Sequence, residues 1–158
     1  MDSSAISLDD GAVVVVDKPD AFTKAHVRAD SAIESFANEV RKVDGVMRAD
    51  LITSLAKADT STDTIARRWL HMFAPEGAAR LMITLTPYSY WAPGSYPTHR
   101  SPHESDAHVP VLFYGAGVNP GKFAGFVRVV DMAPTLAELA GVRPLEKIDG
   151  HVLRQAIK

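Results

Sequence analysis

The chain has 158 residues, 46% of them hydrophobic and 23% charged, enough for one globular domain with a sizeable core. A formal net charge of −2, from 17 basic and 19 acidic residues, argues against a generally basic nucleic-acid binder, and the lack of cysteine excludes disulfides, thiolate metal sites and a cysteine nucleophile. No apolar run approaches the ~20 residues of a membrane-spanning helix. Met1-Asp2-Ser3-Ser4 lacks the basic start of a secretory signal, so the chain as written is expected in the cytoplasm with no membrane partner.

In chain order, residues 12–16 form a β-branched run ended by Asp17-Lys18-Pro19, the pattern of a strand covered on both faces. Ile33, Phe36, Ala37, Val40 and Val43 make one helical stripe. Ser31 and Glu34 have the spacing of a capping box, and Gly45 is placed to stop that helix. Residues 49–55 read as a short helical turn. Another helix starts in the Thr/Ser/Asp cluster at 59–64, turns Ile65, Trp69, Met72 and Phe73 inward, and stops at Pro75 and Gly77.

Residues 79–86 alternate, with Leu81, Ile83 and Leu85 on one face and Arg80, Met82 and Thr84 on the other, as in a half-buried strand. Residues 87–107 have no periodicity and are rich in proline, tyrosine and histidine. A loop this long inside a domain is commonly functional. Residues 109–114 read as a second buried strand and 126–130 as a short one. Asp131 is placed to cap a helix with Met132, Leu136 and Leu139 inward, Pro134 in its first turn and Gly141 as its stop. Strands alternating with helices give the α/β class, a sheet with flanking helices.

Several motifs bear on chemistry. The segment from Tyr114 to Lys122 follows a strand like a phosphate loop, yet Pro120 stands where a dinucleotide fingerprint needs a small residue. Only three residues separate Gly117 from Gly121, and Phe123 follows Lys122, so a plain turn is expected. His99 and His103 are four apart, as for two ligands on one helix face, but Pro97 and Pro102 oppose a helix there. Asp106 and His108 share a face of extended chain, which suits a metal site or an acid–base pair as well as ordinary solvated polars. His26 and His71 have no partner pattern, and His71 beside Arg67-Arg68 reads as a solvated face. There is no Gly-x-Ser-x-Gly elbow.

Three ordered stretches carry a resemblance: Thr98-His99-Arg100-Ser101-Pro102 followed by Asp106-Ala107-His108-Val109-Pro110-Val111-Leu112-Phe113-Tyr114-Gly115; Val127-Arg128-Val129-Val130-Asp131-Met132-Ala133-Pro134-Thr135-Leu136; and Ile148-Asp149-Gly150-His151-Val152-Leu153. Together they resemble the C-terminal portion of the alkaline phosphatase superfamily, in its threonine-nucleophile and type I phosphodiesterase/nucleotide pyrophosphatase branch.

The resemblance implies a partial alkaline-phosphatase-like sandwich, a mixed sheet with flanking helices. Residues 12–86 would be a strand and helix region, and 87–158 the metal-site loop, a core strand and the C-terminal helix. For the complete enzyme it implies a phosphate-ester substrate, two zinc ions with in-line displacement between them, and a periplasmic or secreted location.

Of the family's zinc ligands only the final histidine, in a Thr-His-Gly segment, has a counterpart, His99. Asp106 and His108 match a pair that looks structural. No adjacent Asp-His exists in this chain, no Asp lies four residues before a His, the nucleophile segment has no match, and Arg100 replaces the glycine after the metal histidine. The expectation is a fragment inactive alone, binding zinc at most weakly, with a complementing N-terminal segment as its partner. The alternative is a non-catalytic α/β module for protein interaction or regulation.

Overall fold

The computed structural model describes residues 5–9, 12–70, 72–73, 77–90 and 101–158. The chain divides into two compact units, Met1–His108 and Val109–Lys158.

The first unit is built around a strand that the sequence placed correctly but under-buried. β1 (Ile6–Asp9), β2 (Val13–Val16), β3 (Val46–Leu51) and β4 (Ala79–Leu85) form one sheet in the order β1-β2-β4-β3, with β4 flanked on both sides. Every pairing is antiparallel: Ile6 opposes Val16, Val14 opposes Leu81, and Leu51 opposes Leu81 from the other side. A sheet with helices on its flanks is the α/β arrangement expected from the sequence, and its described strands run antiparallel throughout.

Helices cover both faces. Leu81 and Ile83 pack with Val14, Phe22, Ile33, Ala37 and Ala49 under α1 (Pro19–Lys24) and α2 (Ala29–Val40). Met82 points the other way, into Leu55, Ala66 and Trp69 of α3 (Ile52–Leu55) and α4 (Thr64–Leu70). The polar member of that face, Thr84, is buried because its Oγ1 accepts the Trp69 indole N–H at 2.9 Å. Alternation in β4 thus marks two covered faces, where the sequence suggested one. In β2 the reverse holds: Val14 and Val16 are buried while Val13 and Val15 are half-buried.

Other boundaries differ from expectation for local reasons. α2 begins at Ala29 after Arg28 in extended backbone, so Ser31 lies inside the helix and makes no cap. Asp30 in the first turn complements the helix dipole instead. Phe36 and Val43 of the expected stripe are exposed. α2 ends at Val40, and Gly45, at φ +86°, forms the turn into β3. In α4 Ala66 and Trp69 are buried, Ile65 and the following Phe73 pack half-buried against the same cluster as expected, and Met72 is exposed. His71 and Pro75 lie outside the described residues.

Residues 46–51, partly expected to be helical, pair with β4 as an edge strand, and Arg48 finds partners on the sheet's flank. Its guanidinium pairs with Asp50 (2.6 and 3.0 Å) and with Asp63 (2.9 and 3.1 Å). Asp63 in turn accepts the Ala66 N–H at 2.9 Å, which joins the strand edge to the first turn of α4. Arg48→Met leaves two partly buried carboxylates facing each other and should cost about 1–2 kcal/mol. Urea melts check this, and adding Asp63→Asn to that variant should recover part of the loss.

The second unit, Val109–Lys158, contains little apolar core. Its buried residues are Asp131, Pro134, Thr135 and Ala156. Residues 109–114, expected as a buried strand, form no strand, and Leu112 and Tyr114 are exposed. Residues 126–130 likewise form no strand and lead into a 3-10 turn, Val129–Asp131. The expected plain turn after Tyr114 is present, with Gly115 and Gly117 at positive φ and Val118 N–H donating to the Gly115 carbonyl. α6 (Met132–Leu139) ends with Gly141 at φ +65°, as expected.

Its buried face carries Pro134 and Thr135, while Leu136 is exposed. That rotation follows from hydrogen bonding. The Thr135 hydroxyl donates to the Asp131 carbonyl (2.6 Å) and accepts from Leu153 N–H (2.9 Å), so the C-terminal tail crosses this face of the helix.

Asp131 does not cap α6 with its side chain. Its carboxylate accepts the backbone N–H of Arg128 (2.8 Å) and of His151 (2.9 Å), and Arg128 also donates to the Asp149 carbonyl (2.9 Å). The two distant motifs around Asp131 and Gly150 are thereby joined. The His151 N–H, with the Arg128 N–H and charge behind it, outweighs burial and holds the Asp131 carboxyl below the ordinary carboxylate range.

Because the folded pKa is depressed, this contribution to stability is complete above the ordinary carboxyl value near 4. It is lost as pH falls through the folded value. The protection factors of the His151 and Leu153 amides, relative to free chain at the same pH, should therefore fall on acidification from about pH 4 downward. Asp131→Asn should flatten that dependence.

Candidate functional site

The sequence concentrates candidate chemistry in residues 98–108. Thr98, His99 and Arg100 lie outside the described residues. The region just after them is tied to the body of the first unit. α4 is fixed on β4 by the Trp69–Thr84 bond, and its Arg68 reaches across to donate to the Pro102 carbonyl and the Glu104 carboxylate. His103 Nε2 lies 2.8 Å from the carbonyl of Leu85, the last residue of β4, so that nitrogen carries the proton. His103 N–H also contacts the Ser101 hydroxyl at 3.3 Å.

Arg68, read from sequence as part of a solvated face, is thus a tether. Nothing in its local spacing reveals this, because its partners lie more than thirty positions away. The Arg68 guanidinium bond holds the Glu104 carboxyl below its usual range.

Asp106 and His108 do not share a face. Residues Glu104–Ala107 form one helical turn, α5, with Asp106 inside it and His108 just beyond in extended backbone. His103 carbonyl accepts the Asp106 and Ala107 N–H groups, which sets that turn. The exposed His108 ring sits 3.5 Å from Glu104 and makes no contact with Asp106. His26 is an exposed turn residue at φ +54°, and His151 acts through its backbone. Among the described residues, no group of three His, Asp or Glu side chains converges as a metal site. The described residues therefore do not by themselves fit the zinc centre implied by the family. No helix among them is long and apolar enough to cross a membrane.

No family model matches the chain. It is 30% identical over 135 residues to a protein named calcium-transporting ATPase from Myroides odoratus, a match covering 84% of this chain and 24% of that one. It is 34% identical over 87 residues to alkaline phosphatase PhoK from Sphingomonas sp, covering 51% of this chain and 16% of the relative. Among solved structures, alkaline phosphatase PafA has the same fold over 98% of this chain and 29% of its own, with a TM-score of 0.84 at 18% identity. The chain thus spans about a quarter, or less, of the length of these curated relatives. By sequence and by fold, this chain is related to the alkaline phosphatase superfamily, of which it represents one part.

Proposed function

We propose that the chain is the portion of a zinc-dependent phosphate-ester hydrolase that carries one metal ligand, His99, and that it is inactive without a further segment supplying the nucleophile and the remaining ligands. The observation that carries this reading is the match to PhoK at 34% identity over 87 residues, beside the fold shared with PafA. Two features of the chain agree with incompleteness. A zinc site needs at least three protein ligands, and a covalent step needs a nucleophile beside its activating group. The family-matched residues that are described, Asp131, Thr135, Gly150 and His151, tie one stretch of backbone to another.

The purified chain, assayed with p-nitrophenyl phosphate and bis(p-nitrophenyl) phosphate in added zinc, should show no turnover above buffer. Turnover that persists through purification and vanishes in His99→Ala would overturn the claim of inactivity.

A further inference from the structure

We propose that the outer edge of β3 is a two-fold pairing surface for a second copy of this chain, and that Arg41 holds it shut.

β3 has a single neighbour, β4, among the described strands, so one side of its backbone lacks a ladder. Ala49 shows which groups lie there. It opposes Ile83, whose N–H is donated to the Ala12 carbonyl at 2.8 Å, on the β2 side. Bonded and non-bonded pairs alternate along an antiparallel ladder, so the Ala49 N–H and C=O point away from β4. Unpaired groups of this kind are a template for another strand.

One of them is taken. Arg41, at the C-terminal end of α2, donates from its guanidinium to the Ala49 carbonyl and, at 2.7 Å, to Asn38 Oδ1. The cation occupies the acceptor that an added strand would use. Strand and plug both belong to the first unit.

The side chains along the edge identify the occupant. Two β3 strands can be set antiparallel about a two-fold axis at Ala49. Arg48 of each copy then opposes Asp50 of the other on one face, and Met47 opposes Leu51 on the other face. Shifting the axis by one residue sets Arg48 against Arg48 or Asp50 against Asp50, so charge selects this register. Arg48 makes four bonds to Asp50 and Asp63 within its own copy, and its five N–H groups leave a donor for the second. Met47 is 41% exposed and Val43, just before the strand, 51%, which supplies an apolar fringe. The register of β3 on β4 shifts between Val46 and Arg48, so the regular ladder is short. So brief a pairing is weak, and the two Arg41 contacts it must displace decide whether it forms.

The test is sedimentation velocity over a range of concentrations, with hydrogen exchange on residues 46–51. The wild-type chain should leave this edge unpaired. Arg41→Met removes the donor and keeps the aliphatic stem. Releasing one charge-assisted hydrogen bond per copy should tighten self-association about tenfold for each, or about a hundredfold per dimer. Exchange in residues 46–51 should slow as the concentration of this variant rises. Added salt should weaken the association, because Arg48 and Asp50 carry it. Met47→Lys in the Arg41→Met background should reverse it, since a lysine there blunts the edge. Arg41→Gln, shorter and uncharged, should behave as Arg41→Met does and serves if the methionine variant does not fold.

Identical sedimentation of the wild type and the Arg41 variants would overturn the proposal. So would association that leaves residues 46–51 unprotected, strengthens with salt or survives Met47→Lys. A wild-type dimer already protected at residues 46–51 would also overturn it, since Arg41 would then hold nothing shut.

Discussion

Gly150→Ala should unfold the C-terminal tail. A Cβ at that position would lie 2.1 Å from the Val130 carbonyl oxygen, 2.7 Å from its carbon and 3.0 Å from the Asp131 Cα. All three atoms are backbone, so no side chain can rotate aside. Relief requires the tail to move away, and the same movement lengthens the His151–Asp131 and Leu153–Thr135 bonds, each now 2.9 Å. Overpacking plus the loss of these bonds should cost about 3 kcal/mol or more. In a unit with so few buried apolar residues, that loss exposes the tail outright. Exchange at the His151 and Leu153 amides reports it directly. Gly125→Ala is the control, since a Cβ there meets nothing within 4 Å, and it should change stability by no more than about 0.5 kcal/mol. Equal tail protection in both variants would show that the close approach of Gly150 to Val130 is not a constraint.

Leu81→Ala should produce the largest loss in the first unit. Leu81 is fully buried on the central strand, and its neighbours come from β2, β3, α1 and α2, so the surroundings collapse poorly around a void. Removing it should cost about 2–5 kcal/mol, seen as a lower midpoint in urea followed by far-ultraviolet circular dichroism. Leu145→Ala, at a wholly exposed site, should leave the midpoint in place. A small effect of Leu81→Ala would mean that the two-faced packing of β4 is not what holds the sheet.

The first unit was legible where pattern and burial coincide. The α2 stripe of Ile33, Ala37 and Val40, the Trp69 face of α4 and the alternation in β4 all follow from periods of 3.6 and 2. What escaped were features decided by distant partners. Residues 46–51 are a strand because β4 pairs with them, with Arg48 received by Asp50 and Asp63, and Arg68 is a tether only because Pro102 and Glu104 come to it. β1 and α1 are too short to show a period of their own.

In the second unit, composition pointed to a buried strand at residues 109–114 and a short strand at 126–130, and the structure shows neither as a strand. Apolar content records what a segment can pair with, and no described strand pairs with these two. The residues that carried the family resemblance fare differently. Asp131, Thr135 and the Asp149-Gly150-His151 turn are visible in the sequence as motifs, but their joint role as a backbone clasp emerges only from the structure. Of the candidate site, the expected pairing of Asp106 with His108 is removed by the single helical turn of α5, and His99 lies outside the described residues.

Under the proposed function, this chain holds one ligand, His99, of a metal site whose other parts lie elsewhere. Calorimetric titration of the purified chain with zinc, in parallel with His99→Ala, tests it most directly. One imidazole with Arg100 beside it lacks the remaining ligands and adds charge repulsion. Weak binding that the substitution does not change is therefore the expected result. Tight one-to-one binding that is lost in His99→Ala would contradict it, because the chain would then hold a complete metal site of its own.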